Sequence, residues 1–154
     1  MIKKRILALD LGATTGWAVC KPAVTSGIIK FTTSRDDGAG MRFLRFERWL
    51  ESVLEHERFE EVYFEEVRRH LATAAAHSYG GYRAILTKFC TEHKIPYSSI
   101  PVGVVKKNFT GKGTANKEAM IEEARRKGFS PQDDNEADAI AILFSALTTL
   151  NETL

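Results

Sequence analysis

The apolar positions of this chain come first in short blocks and later at helical spacing. Ile6 to Leu11 is a nearly continuous apolar run closed by Gly12, the mark of a strand buried on both faces. Thr14 to Cys20 and Ser26 to Thr33 predict two more strands, and tight turns at Gly12-Ala13 and near Pro22 make the three an antiparallel meander. Ser34 to Gly40 is a polar loop. From Met41 to Glu57 the period becomes helical, with Phe43, Phe46, Leu50, Val53 and Leu54 on one face and Arg and Glu opposite. Val62 to Val67 predicts a strand that contains two glutamates. A helix follows between Ala74 and His93, with Tyr82, Ile85, Leu86 and Phe89 as its apolar face; Gly80-Gly81 obscures its start, since each glycine costs about 1 kcal/mol in a helix interior.

Ile95 to Val102 predicts a short strand punctuated by Pro96 and Pro101. Val104 to Thr114 ends in a Gly-Lys-Gly loop and is assigned no element. A charged helix is expected from Ala115 to Lys127, capped by Thr114. The last helix is expected to open at Ser130-Pro131, a cap followed by proline, with Ala137, Ile140, Ala141, Phe144 and Leu147 as its buried stripe. The order βββ-α-β-α-β-α-α predicts an α/β fold: a mixed five-stranded sheet, antiparallel meander plus parallel strands, with helices on both faces.

The 154 residues suit one domain, 1–154, at roughly 150 residues per domain. With 44% apolar and 27% charged residues, the composition argues against disorder and collagen-like scaffolds. No apolar run approaches the ~20 residues of a membrane span, and the apolar stretch after Lys3, Lys4 and Arg5 stops at Asp10, a poor signal peptide. Cys20 and Cys90 form no disulfide framework and suit a reducing compartment. The expectation is a cytoplasmic protein with no membrane partner. Net charge is only +2, but its distribution is uneven. Residues 103–127 hold 7 basic and 3 acidic groups, and residues 128–154 hold 5 acids and no base. This fits an anion-binding surface beside a cation-binding pocket, and equally two solvated surfaces of opposite sign.

Three acidic positions stand out. Asp10 lies within an otherwise apolar run, where an unpaired carboxylate costs several kcal/mol and needs a cation, strong donors or a raised pKa. A turn-capping role at Gly12 or a lysine partner would also serve. Glu65 and Glu66 point to opposite faces of their strand, and periodicity does not choose between them. In the run Asp133-Asp134-Asn135-Glu136-Ala137-Asp138, Asp134 and Asn135 lie four and three residues before Asp138, so all three can face one point. A helix dipole accounts for Asp133 and Asp134 but poorly for Asp138, which lies deeper. Oxygen ligands with no His or Cys cluster suit Mg²⁺ or Mn²⁺ rather than Zn²⁺. Carboxylates sharing two such ions can drive attack of water on a phosphodiester. His70 and His77 lie close to the Glu65 strand in sequence and read as solvated loop residues. Lys106, Lys107, Lys112 and Lys117 surround Gly111-Lys112-Gly113, where glycines admit phosphates and lysines supply charge. The spacing is not that of a Walker A loop.

These residues resemble the RuvC family of Holliday-junction resolvases. The likeness lies in Ile6-Leu-Ala-Leu-Asp10-Leu-Gly-Ala-Thr-Thr-Gly16-Trp-Ala, Tyr63-Phe-Glu65-Glu-Val, Val105-Lys106, Gly111-Lys-Gly113-Thr-Ala-Asn-Lys117 and Asp134-Asn-Glu-Ala-Asp138-Ala, in order over essentially the whole chain. The short chain and the acidic last motif look more like the bacteriophage branch. The resemblance implies an RNase H-like fold and a homodimer that nicks branched DNA symmetrically with Mg²⁺, in DNA recombination and repair. It implies Glu65 rather than Glu66 as ligand, and Asp10 and Asp138 beside it. The family's fourth ligand falls on Asn135, with Asp134 as the substitute. Lys106 and Lys117 fall on basic positions, with Lys117 near the scissile phosphate as a catalytic group. Where the family often carries a wedging aromatic, this chain has Arg68, Arg69 and His70, which shifts weight to phosphate contacts. Tyr79 or Tyr82 offers an aromatic contact or core packing. The Ala-rich start of the 74–93 helix is the expected dimer contact.

The implied function is resolution of four-way junctions by paired nicks with two Mg²⁺ ions, Mn²⁺ substituting. The alternatives are a related RNase H-like nuclease on forks, flaps or RNA precursors, and a non-catalytic junction-binding module. Asp10-Leu-Gly-Ala-Thr-Thr-Gly also resembles the phosphate loop of actin-like ATPases. Those proteins need a second lobe, so no nucleotide cofactor is expected.

Overall fold

A computed structural model describes residues 3–20, 22–69 and 72–152. His70 lies outside the described residues. The sheet order is β3-β2-β1-β4-β5, which places β1 (Ile6–Asp10) at the centre. Its first four residues are fully buried because helices cover both faces. β2 (Thr14–Cys20) and β3 (Val24–Lys30) continue from it as the antiparallel meander. β4 (Glu61–Glu66) lies parallel to β1, and β5 (Tyr97–Pro101) parallel to β4. The mixed five-stranded sheet is the one the pattern predicts.

Alternation of side chains along the strands divides the core in two. Leu7, Leu9, Val62 and Phe64 face α1 (Met41–Glu57) and α2 (Thr73–Glu92), where Phe46, Leu50, Tyr82, Leu86 and Phe89 meet them. Ile6, Ala8, Ala18 and Tyr63 face the other way, toward α3 (Val102–Thr110), α4 (Lys117–Arg126) and α5 (Asp134–Thr149). α2 runs through both glycines. A Cβ on Gly81 would lie 2.3 Å from Phe43 Cζ, so the missing side chain admits the ring. Phe43 then packs edge-on against Tyr82 at 4.9 Å between ring centres, and this burial offsets the helix cost.

The structure corrects several boundaries. The third strand runs earlier, Val24–Lys30, because its register is set by pairing with β2, Cys20 opposite Val24 and Thr14 opposite Lys30. The segment left without an element is α3. Val105 and Phe109, four apart, are its buried side, and Gly111 ends it in the left-handed conformation at φ 87°. α4 is capped by Asn116, not Thr114; the Asn116 side chain accepts from the Ala119 N–H at 2.9 Å. α5 starts at Asp134 rather than at Ser130-Pro131. The Asp133 side chain accepts from the Glu136 N–H at 2.9 Å, while Glu136 Oε2 accepts from the Gln132 N–H at 2.6 Å. This is a capping box whose return bond falls one residue early.

The stripe expected on α5 is also too narrow. Ala137, Ala139, Ile140, Ala141, Ile142, Leu143, Ala146 and Leu147 are all buried, because α5 is sandwiched between the sheet and α3 and α4. Asn108 Nδ2 donates to the buried Ser145 Oγ at 2.6 Å and pins α3 to α5. Cys20 and Cys90 are buried free thiols, pushed up to about 11 and about 12 by burial. They are inert core residues. Among the described residues no helix is long and apolar enough to cross a membrane.

Candidate active site

Register alone brings Asp10 and Glu65 together. β1 and β4 are parallel, with Ala8 opposite Tyr63 and Leu9 opposite Phe64. The next residue on each strand is Asp10 and Glu65. Both share a face with Ala8 and Tyr63, which is the face under α5. Adjacent strands lie about 4.8 Å apart, so the two carboxylates leave the sheet as neighbours. Glu66 points the other way; it is half-buried and pairs with Arg68 at 3.5 Å. The alternation that could not choose between the glutamates is decided by which helix covers which face.

α5 delivers the other acids. A Cβ on Gly16, which pairs with Asp10 across β1 and β2, would sit 1.9 Å from the Asn135 carbonyl oxygen. Only glycine lets the first turn of α5 lie on the strand there. The β1–β2 turn is closed beside it by Thr15, whose Oγ donates to the Gly12 carbonyl at 2.7 Å. Glu136 fixes the helix from the far side, accepting from Ser26 Oγ on β3 at 2.9 Å. Asp134 and Asp138, one turn apart, then face Asp10 and Glu65.

The electrostatics follow. Burial raises the Asp10 carboxyl well above the ordinary range, and Asp138, Glu65, Asp134 and Asp133 add repulsion in that order. Burial, then Glu65 and Asp134, push Asp138 up to about 7 against the opposing pull of Lys106 and Lys117. Burial raises Glu65, and Lys106 opposes it. Asp134 pairs with the exposed Lys117 at 3.5 Å. The Asn135 Nδ2 donates to Asp133 Oδ2 at 3.1 Å. Asp134 thus acts on both Asp10 and Asp138, while the Asn135 amide donates to the helix cap.

Among the described residues, no three His, Cys, Asp or Glu side chains are drawn tightly enough to grip a metal ion as they stand. The four acids are associated through their fields, and among the described residues no histidine or cysteine is one of the groups that shift them. Such a set fits a hard cation, because a divalent charge would cancel the repulsion that raises these groups. Asp10, Glu65, Asp134 and Asp138 are the residues that could hold it.

Basic residues flank the cluster. Lys106 on α3 is half-buried and faces Glu65 and Asp138, while Lys107, Lys112 and Lys117 are exposed. The Gly111–Gly113 loop folds back on α3, with the place of a Gly113 Cβ 3.3 Å from the Gly103 carbonyl. At the end of β4, Arg68 and Arg69 line a groove of about 340 Å³ with Val67, Pro101 and Gly103. His77 is exposed on α2.

Tyr82 is core, buried against Phe43 and Phe46. Tyr79 instead reaches the site strand: its hydroxyl donates to the Glu65 carbonyl at 2.8 Å and accepts from the Val67 N–H at 3.3 Å. Sequence reasoning missed the structural parts played by Gly16, Glu136 and Asn108. Asp133-x-x-Glu136 is a legible capping signature, and a lone glycine within a strand signals close backbone approach. Asn108 and the Tyr79 bonds to β4 leave no such local trace.

No protein-family model matches the chain. The fold is that of RuvC structures. It superposes on the Thermus thermophilus RuvC in complex with a Holliday junction substrate with TM-score 0.76 and 24% identity, over 93% of this chain and 92% of that one. A second Thermus thermophilus RuvC structure gives 0.75 and 23%, over 96% of each chain. The yeast mitochondrial Holliday junction resolvase Ydc2 gives 0.56 and 14%, over 92% of this chain and 77% of that one.

Proposed function

We propose that this chain is a Mg²⁺-dependent, structure-selective DNA endonuclease of the RuvC type, acting as a homodimer on four-way junctions. One observation carries the reading: Asp10, Glu65, Asp134 and Asp138 converge at the ends of two central strands under α5, with lysines around them. The likeness to a RuvC solved with its junction supports the substrate class.

Asp10, Glu65, Asp134 and Asp138 would hold the cation, one or two ions. When bound, Mg²⁺ makes water a nucleophile near neutral pH and neutralises charge on the phosphate and the departing oxygen. The rest is the work of this chain's side chains. Lys106, Lys107, Lys112, Arg68 and Arg69 dock the backbone through charge, which is independent of sequence. Lys106 holds Glu65 and Asp138 toward their ionised, ligating forms. Lys117 sits against Asp134 at the exposed edge of the cluster, where its charge would stabilise a crowded phosphorane-like state. Asn135, the departure from the family pattern, is neutral and bonded to Asp133, so Asp134 supplies the missing charge.

The test is cleavage of labelled four-way junction, linear duplex, fork, single strand and RNA–DNA hybrid in Mg²⁺. Paired symmetric nicks on the junction are expected. Cutting mainly forks or RNA would keep the metal chemistry and replace the substrate. Binding without cutting in Mg²⁺ and in Mn²⁺ would leave a non-catalytic junction-binding module.

A further inference from the structure

The end of β4 is held by a residue outside the acidic cluster. Pairing between β1 and β4 stops at Leu9–Phe64, one residue before Asp10 and Glu65. β5 accompanies β4 only to Glu66–Pro101. At this margin the Tyr79 hydroxyl takes two roles at once, donating to the Glu65 carbonyl at 2.8 Å and accepting from the Val67 N–H at 3.3 Å. One side-chain oxygen thus spans the backbone on both sides of Glu66. It comes from α2, which packs on the face opposite α5, so it approaches β4 without entering the space in front of the carboxylates.

We propose that Tyr79 is a positioning residue for the metal site: its hydroxyl fixes the backbone where β4 ends and thereby the direction in which the Glu65 carboxylate leaves the sheet. This rests on the nuclease reading above. A carboxylate that must share a cation with Asp10 and Asp138 gains from a rigid backbone, since ligands held in place lose less freedom on binding. Without the hydroxyl the strand end has a carbonyl and an amide to satisfy elsewhere, and Glu65 is free to swing. The phenol ring serves packing as well, which phenylalanine would preserve; only the hydroxyl performs the positioning.

Tyr79→Phe separates the two. In the metal-free protein, amide exchange at Val67 should speed up while core amides of β1 stay protected. Calorimetric titration with Mn²⁺ alone should show binding weakened roughly three- to ten-fold, the scale of one or two net hydrogen bonds. On the four-way junction the cleavage rate at low Mg²⁺ should fall by a similar factor, saturating Mg²⁺ should restore most of it, and junction affinity should not change. A purely structural tyrosine would lower the melting temperature without moving the Mg²⁺ midpoint. The double variant Tyr79→Phe with Glu65→Gln completes the cycle. If Tyr79 acts through Glu65, adding Tyr79→Phe to Glu65→Gln costs no further Mn²⁺ affinity; full additivity overturns the proposal. Unchanged Mn²⁺ affinity in Tyr79→Phe also overturns it. Should the wild-type chain cut no nucleic acid, the nuclease reading fails, and the Mn²⁺ and exchange results still decide the role of Tyr79. Should Tyr79→Phe fail to fold, the hydroxyl is structural and the proposal falls.

Discussion

A carboxylate buried among other carboxylates keeps its proton longer than one in water, and this governs the residue scale. Asp10, Glu65 and Asp138 are all raised, Asp138 to about 7, with burial as the first cause. Between the ordinary carboxylate range and pH 7 the folded chain therefore binds more protons than the unfolded chain. Metal-free stability is fullest at the acid side of this window and falls as pH rises through it. Thermal unfolding in EDTA should show a melting temperature that drops between pH 5 and 8, with a shallower drop in Asp138→Asn. Added Mg²⁺ should recover more at pH 8 than at pH 5, because cation and proton compete for the same oxygens. Asp10→Asn and Asp138→Asn should each abolish nicking while junction binding persists in gel-shift titrations; full cutting by both would sink the metal-site reading. Lys106→Ala has two consequences. Loss of one phosphate contact should flatten the salt dependence of binding by about one unit of log–log slope. Loss of its pull on Glu65 and Asp138 should move the rising limb of the cleavage pH profile to higher pH. An unaltered salt slope would remove Lys106 from the DNA surface.

At the scale of elements, the site exists because α5 lies directly on β2. Gly16 permits that approach, and the Asp133–Glu136 cap with the Ser26 bond sets where the helix begins. Gly16→Ala would place a methyl group 1.9 Å from the Asn135 carbonyl, so the first turn of α5 must move. Urea unfolding should show a loss of roughly 1–3 kcal/mol, the usual cost of overpacking. Cleavage should fall much further than stability, because Asp134 and Asp138 travel with the turn. A variant that keeps full activity would show that α5 is not positioned through this contact. The boundaries misjudged from sequence belong to this scale too. α3 is short and half its residues are charged or small, so its buried pair Val105 and Phe109 gives only one turn of periodicity. Asn116 and Asp133 win as caps because each side chain reaches the amide three residues on, which Thr114 and Ser130 are not placed to do.

At the scale of the molecule, resolving a four-way junction requires two sites facing two strands, hence the proposed dimer. The start of α2 is suited to a close helix contact: Ala74 and Ala75 are exposed, and a Cβ on Gly80 would meet nothing within 4 Å. Sedimentation equilibrium at micromolar concentration should give twice the chain mass. Ala75→Arg should shift it toward the monomer, and nicks on the junction should then lose their pairing in time. A wild-type monomer would count against the paired mechanism and leave the metal chemistry standing.

The amino-acid sequence by itself determined what must be buried and what must be charged. Alternation and helical spacing set the strand and helix order, since each element has to hide one face from water. An aspartate inside an apolar strand marked a candidate site, because its burial has to be offset by a cation, strong donors or a partner charge. Tertiary structure decided which of the acids meet. Glu65 rather than Glu66 faces α5, because the β1–β4 register and the helix above that face select one side of the strand. Asp134 pairs with Lys117 and adds its field to Asp10 and Asp138, while the Asn135 amide donates to the helix cap, a division that the spacing of the run does not give. Tyr79 reaches β4 across a helix–strand gap of twelve or more residues that no local pattern encodes. Local patterns report the free energy of burial, which each residue feels alone; convergence of charge depends on pair distances, which exist only once the chain has packed.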